Sequence, residues 1–154
     1  MKMKKLVVVF FASIIGIVAL GGCSNNSVID DSEWNTAKKT GKFEIQITSA
    51  ELVDNNLNTD IGHETLRLAL KAKNISKEAA PIGSGDFYLK DKDGKKYTFT
   101  GSESSLGDVV KAGKTIEGYG YYSIPKESKK MMVVYKPFQS TDQLKWEITI
   151  PGKK

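Results

Sequence analysis

Cysteine and histidine are nearly missing from this chain of 154 residues, which has one of each. A single cysteine closes no internal disulfide, and with a single histidine it cannot make up a Cys/His zinc cluster. Proline is scarce as well: the four are Pro81, Pro125, Pro137 and Pro151, all outside or at the end of strand-like runs. The longest apolar stretch, residues 6–20, is broken by Ser13 and Gly16 and falls short of the roughly 20 residues a membrane-spanning helix needs. A dominant charge is lacking too. The formal charge is +5, from 23 basic and 18 acidic residues, but Lys2, Lys4 and Lys5 precede the apolar stretch, and residues 1–22 contain no acid. Without those residues 20 bases face 18 acids. Such a mixed surface lacks the concentrated basic footprint of a nucleic-acid binder, so no nucleic-acid partner is expected.

What the first residues do contain is a secretory layout: a basic start, an apolar stretch, then Gly21, Gly22 and Cys23. Leu20-Gly21-Gly22-Cys23 resembles the bacterial lipobox, in which a branched apolar residue and two small ones precede a cysteine that is lipidated and becomes the first residue. Residues 1–22 are therefore expected to be a lipoprotein signal peptide and Cys23 the lipidation site. Two acyl chains on a diacylglycerol, at about 0.8 kcal/mol per buried methylene, anchor stably. That makes membrane lipid the first expected partner and the outer face of the cell membrane the expected location. Residues 24–40 are polar, with few apolar residues to bury apart from Val28, Ile29 and Trp34, and read as a flexible tether ahead of a domain spanning 41–154.

From Phe43 onward apolar residues recur with period two between clusters of Gly, Asn, Asp and Pro, as half-buried antiparallel strands require. Phe43, Ile45 and Ile47 alternate with Glu44, Gln46 and Thr48, and Leu66, Leu68, Leu70 and Ala72 with Arg67, Ala69, Lys71 and Lys73. Further runs cover residues 87–91, 95–100, 115–124, 131–135 and 144–150. About seven strands predict an all-β, two-sheet sandwich. At Lys92-Asp93-Gly94 a two-residue loop would put Phe87 and Leu89 on the face of Thr98 and Thr100. A three-residue loop instead sets Phe87 opposite Phe99 and Leu89 opposite Tyr97, with Gly94 in the left-handed position of a bulged turn. The second register gathers one apolar face and is the one expected.

Lys73-Asn74-Ile75-Ser76, the hairpin around Asp93-Gly94, Ala112-Gly113-Lys114-Thr115-Ile116-Glu117-Gly118 and Tyr122-Ser123-Ile124-Pro125 together resemble the telokin-like DUF4352 lipoproteins of Gram-positive bacteria. The resemblance covers roughly residues 42–151. It implies an immunoglobulin-like sandwich, akin to a mycobacterial secreted antigen, in extracellular or membrane-tethered proteins of no established activity. The cysteine pair and strand-C tryptophan of antibody domains are absent.

Catalytic and metal chemistry finds little footing. Aligning Gly94 with the invariant glycine of an EF-hand puts Thr100 where a bidentate glutamate is needed, so Asp91-Lys92-Asp93-Gly94 reads as hairpin chemistry; a looser surface site on Asp86, Asp91 and Asp93 has no support, and no metal is expected. His63 has Glu64 beside it, but neighbours on a strand point to opposite faces, and no Gly-x-Ser-x-Gly elbow supplies a nucleophile. No catalytic residue and no cofactor are assigned. Asn74-Ile75-Ser76 formally fits a glycosylation acceptor and is read as structural. Lys126, Lys129 and Lys130 form a basic turn able to touch anionic headgroups. Tyr119 and Tyr121 alternate out of phase with Ile116, Gly118, Tyr122 and Ile124. They are expected to project outward beside two glycines as a partner-binding surface, with Tyr135 and Tyr88 as further candidates. The expected role is a lipid-anchored, extracytoplasmic binding module for an unidentified protein or envelope partner, not an enzyme. The alternatives are a surface-exclusion or protective lipoprotein of a mobile element or envelope, and, further off, a hydrolase or metal-dependent activity.

Overall fold

A computed structural model describes residues 32–54, 61–101 and 104–152. The expected signal peptide, residues 1–22 with Leu20-Gly21-Gly22, and the expected lipidation site Cys23 lie outside the described residues. Ten strands are found among those described: β1 Lys38–Lys39, β2 Phe43–Val53, β3 His63–Asn74, β4 Ala80–Gly83, β5 Phe87–Lys90, β6 Lys96–Thr98, β7 Gly107–Val110, β8 Thr115–Pro125, β9 Lys130–Tyr135 and β10 Leu144–Thr149. All seven expected strands are present. The additions, β1, β4 and β7, are two to four residues long and carry no alternation of their own.

One sheet runs β1-β2-β3-β8 and the other β10-β9-β5-β6, with β4 and β7 paired to each other at the side. The alternation places Phe43, Ile45, Leu66, Leu68, Leu70, Tyr122 and Ile124 inward from the first sheet. Phe87, Leu89, Val133, Trp146 and Ile148 face them from the second, and all are buried. Each such side chain gains about 1.5–3 kcal/mol by leaving water. A bulge between Ile47 and Ser49 inverts the phase of β2, so that Ile47 faces the core before it and Ala50 and Leu52 pack inward after it. Thr48, the extra residue, donates its hydroxyl to Ala69 O at 3.2 Å.

The β5–β6 hairpin has the three-residue register. Leu89 pairs with Tyr97 and Tyr88 with Thr98, and Gly94 sits at φ +82°. Asp91 organises the turn. Its Oδ1 accepts from Asp93 N and Lys95 N, both at 2.9 Å, and its Oδ2 from the Tyr97 hydroxyl at 2.9 Å. The expected Phe87–Phe99 pair does not form. The chain leaves the sheet after Thr98, Phe99 bridges Tyr122 in the opposite sheet, and Phe87 packs on Tyr135 with ring centroids 5.0 Å apart.

Residues 32–40, expected to be part of a tether, are ordered against the sheets. They belong to the domain and strap its open side. Thr149 N donates to Ser32 Oγ at 2.6 Å, Glu33 N to Glu147 O at 2.9 Å, and Asn35 N to Ile47 O at 2.9 Å, while β1 pairs with β2. Polarity misled here because the strap is held largely by hydrogen bonds, from its backbone and from Ser32, Glu33 and Lys38, with Trp34 packed against the core. The cluster of buried apolar residues lies within residues 43–150 and the strap wraps around it, so this unit carries its own core.

Candidate interaction surfaces

The outer face of the first sheet is a lattice of cross-strand charge pairs. Lys39 pairs with Glu44 at 2.9 Å, Lys71 with Glu117 at 2.9 Å, and Arg67 with Glu51. The Lys39 ammonium, hydrogen-bonded to Glu44, holds that carboxyl below its ordinary value. Tyr119 and Tyr121 do project on this side, opposite to Tyr122, but neither offers a free ring. Arg67 lies over the Tyr119 ring at 4.7 Å. Tyr121 is buried; its hydroxyl meets Ser104 Oγ at 2.6 Å and its carbonyl accepts from Thr100 N at 2.7 Å. Residues 99–100 and 104–106 lie along the free edge of β8 and cover it.

The two glycines beside these tyrosines also make room, but inward. A Cβ on Gly118 would stand 2.9 Å from Leu106 Cα, and one on Gly120 would stand 2.8 Å from the Tyr122 hydroxyl. The core uses that space. Tyr122 is fully buried, and burial pushes its phenol well above the ordinary range. Tyr135, the third expected contact, is also buried, its phenol raised by burial and by the nearby charges of Asp86 and Asp142. Tyr119 on the first sheet and Tyr88 on the second are the candidates left partly open, and Tyr88 too carries a cation, with Lys96 Nζ 4.0 Å from its ring centre.

Asp91 takes the turn role expected of it, and Asp86 takes one that the sequence did not signal. Asp86 Oδ2 accepts from Gly83 N at 2.8 Å across a short 3-10 turn, Ser84–Asp86. At Asp91 partial burial works against ionisation, but the bonds from Tyr97, Lys95 and Asp93 outweigh it and hold the carboxyl below its ordinary value. Among the described residues no three His, Cys, Asp or Glu side chains gather as a metal site. Asn74 is fully buried. Its amide donates to Glu78 O at 2.8 Å and Val110 O at 2.7 Å, and its Oδ1 accepts from Ser76 N and Oγ. The acceptor-like Asn-Ile-Ser pattern is thus a structural clasp between β3 and β7.

Large apolar side chains open to water lie elsewhere: Ile61, 88% exposed, beside Gly62 near the Lys126 turn, and a pair at the opposite end. Phe138 is 88% exposed and Val109 60% exposed. Both stand on the rim of a shallow depression of about 540 Å³ that also includes Pro81, Ile82 and Pro137. Phe138 sits in a turn closed by Ser140 N donating to Pro137 O at 3.2 Å, with Gln139 at φ +57°, a left-handed conformation that costs a residue with a Cβ. No periodicity marks such a residue. The one legible signal is an aromatic among turn formers, Pro137-Phe138-Gln139-Ser140.

This surface and the start of the described chain lie at opposite ends. Ser32 bonds to Thr149, which pairs with Lys130 at the start of β9. Phe138 follows the other end of β9, about 17 Å away along the strand. Lys126, Lys129 and Lys130 are exposed at the Ser32 end, in the turn where Ser128 N donates to Pro125 O at 3.0 Å.

The family described as Domain of unknown function (DUF4352) matches residues 32–145, beginning where the strap begins. No curated protein matches the sequence. Among solved structures, the chain is similar to a candidate lipoprotein (ycdA) of Bacillus subtilis, at 22% identity and a TM-score of 0.64. That match covers 74% of this chain and only 38% of the longer relative. It is similar to the yjhA protein of Bacillus subtilis at 17% identity and a TM-score of 0.57, covering 77% of this chain and 98% of that one. It is also similar to the secreted protein MPT63 of Mycobacterium tuberculosis, at 11% identity and a TM-score of 0.59, covering 73% and 92%. At these identities the likeness is one of fold.

Proposed function

The chain belongs to the DUF4352 family, and from that premise we propose that it is a lipoprotein anchored through Cys23 on the outer face of the cell membrane, presenting its sandwich as a protein-binding module. The observation that carries the binding role is Phe138, 88% exposed at the end of the domain away from Ser32. A large apolar side chain in water at the distal end of a tethered domain is a contact anchor, and with Val109 and Pro81 it forms a patch that a partner's apolar side chain can cover. The lipobox-like residues ahead of Cys23 support the anchoring, and the likeness to a candidate lipoprotein and a secreted protein agrees with it.

The test is photo-cross-linking in intact cells from a photoreactive residue at position 138, with position 98 on the second sheet as control. A defined adduct from 138 but not from 98, lost on Val109→Ser without a change in melting temperature, supports the role. Equal capture from both positions contradicts it.

A further inference from the structure

The end at which the described chain begins is lysine-rich on its second-sheet side. Lys90 and Lys96 are direct cross-strand partners on the outer face of that sheet. Like charges so placed repel one another and destabilise the pair, an arrangement that a bound anion relieves. Lys90, Lys92 and Lys130 border a depression of about 180 Å³ floored by Met132 and Ile148. Lys126 and Lys129 extend the lysine surface along the adjoining turn, and Ile150 N donates to Lys129 O at 2.8 Å. Among the described residues the acids on this side include Asp91 and Glu147, which also line the depression, with Asp93, Glu127 and Glu33, whose Oε2 accepts from Glu147 N at 2.8 Å. Asp91 is engaged by the hairpin through both oxygens. Glu51, Asp54 and Glu64 lie on the first-sheet side.

The anchor brings this surface to a membrane. Ser32 and Lys130 are separated by about 10 Å, two strand spacings through Thr149. Only residues 24–31 separate Ser32 from Cys23. Eight residues span at most about 27 Å, and about 16 Å as a coil. We propose that the lysine surface formed by Lys90, Lys92, Lys96, Lys126, Lys129 and Lys130 docks on anionic phospholipid headgroups of the membrane that holds Cys23. This rests on the anchoring proposed above. Docking points the Phe138 end outward and replaces free tumbling on the tether with one preferred orientation.

The docking is measured apart from the anchor by co-sedimentation of the unlipidated chain, residues 24–154, with vesicles. One set is phosphatidylcholine alone and the other an equal mixture with phosphatidylglycerol. Binding is expected to the anionic vesicles only, falling about tenfold or more between 50 and 500 mM salt as exposed charges are screened. Lys126→Gln/Lys129→Gln/Lys130→Gln and Lys90→Gln/Lys92→Gln should each weaken it at an unchanged melting temperature. Equal binding to both vesicle types, salt-independent binding, or no effect of either variant in the folded state overturns the proposal. Absent vesicle binding with a lipidated Cys23 in cells removes the docking and leaves the anchor. Vesicle binding with an unmodified Cys23 does the reverse.

Discussion

The indole of Trp146, fully buried between the sheets, donates a 2.9 Å hydrogen bond to the carbonyl of Thr36. One core residue thereby fixes the strap that closes both sheets. Lys38 adds to the grip, with Nζ 2.6 Å from Glu33 Oε1 and 5.6 Å from the Trp146 ring centre. Trp146→Phe keeps most of the volume and loses the bond. Destabilisation by about 1–3 kcal/mol is expected, with faster hydrogen exchange at Glu33 and Asn35 while the β2–β3 amides stay protected. Uniform loss of protection across both regions would mean the strap has no separate opening.

Asn74→Ala takes the amide donor from the buried Val110 carbonyl, leaves the Glu78 carbonyl to Ser76 Oγ at 2.9 Å, and removes the acceptor for Ser76 N. A loss of about 2–4 kcal/mol in chemical denaturation is expected, several times that of an ordinary surface substitution. A loss below about 0.5 kcal/mol would show the clasp to be ornamental.

At Tyr122 ring and hydroxyl should part company. The ring fills the core beneath Gly120, whereas the hydroxyl is buried without a hydrogen-bond partner among the described residues. Tyr122→Phe should leave the melting temperature unchanged or raise it, and Tyr122→Ala should cost about 3–5 kcal/mol. A Phe variant as damaged as the Ala variant would mean that the hydroxyl is satisfied after all.

Acid should loosen the domain through two depressed carboxyls. Lys38, by hydrogen bond, and then the Glu147 amide hold Glu33 below its ordinary value, as the hairpin does Asp91. A carboxyl bound more tightly as its anion in the folded state stabilises above the ordinary carboxylate pKa of about 4. That contribution is lost as pH falls through the lower folded value. Melting temperatures between about pH 5 and 2 should fall less steeply for Glu33→Gln and Asp91→Asn than for the parent. Parallel curves would exclude these two groups as the cause.

The core was legible because alternation is a direct imprint of a half-buried strand, and residues such as Leu66, Leu68 and Leu70 state both the strand and its inner face. The hairpin register followed from the same logic, since only one loop length gathers Leu89 and Tyr97 on one side. The strap escaped because its anchoring groups are backbone amides and carbonyls, which every residue has, and polar side chains such as Ser32, Glu33 and Lys38, which composition alone reads as solvated. β4 and β7 escaped because Pro81, Gly83 and Gly107 are breakers by composition. The tyrosines show the limit of facing arguments. Alternation told which side of the sheet Tyr119 and Tyr121 occupy but not that the chain near Ser104 would cover Tyr121. Phe138 was illegible for the opposite reason: exposure in a turn follows from what fails to cover a residue.

The anchored, two-ended arrangement stands or falls on the first residue of the mature chain. Mass spectrometry of the N-terminal peptide, from protein extracted from membranes of a host with working lipoprotein processing, should find Cys23 first and carrying a diacylglyceryl thioether. A mature chain that keeps residues 1–22, or begins elsewhere with an unmodified Cys23, would contradict it.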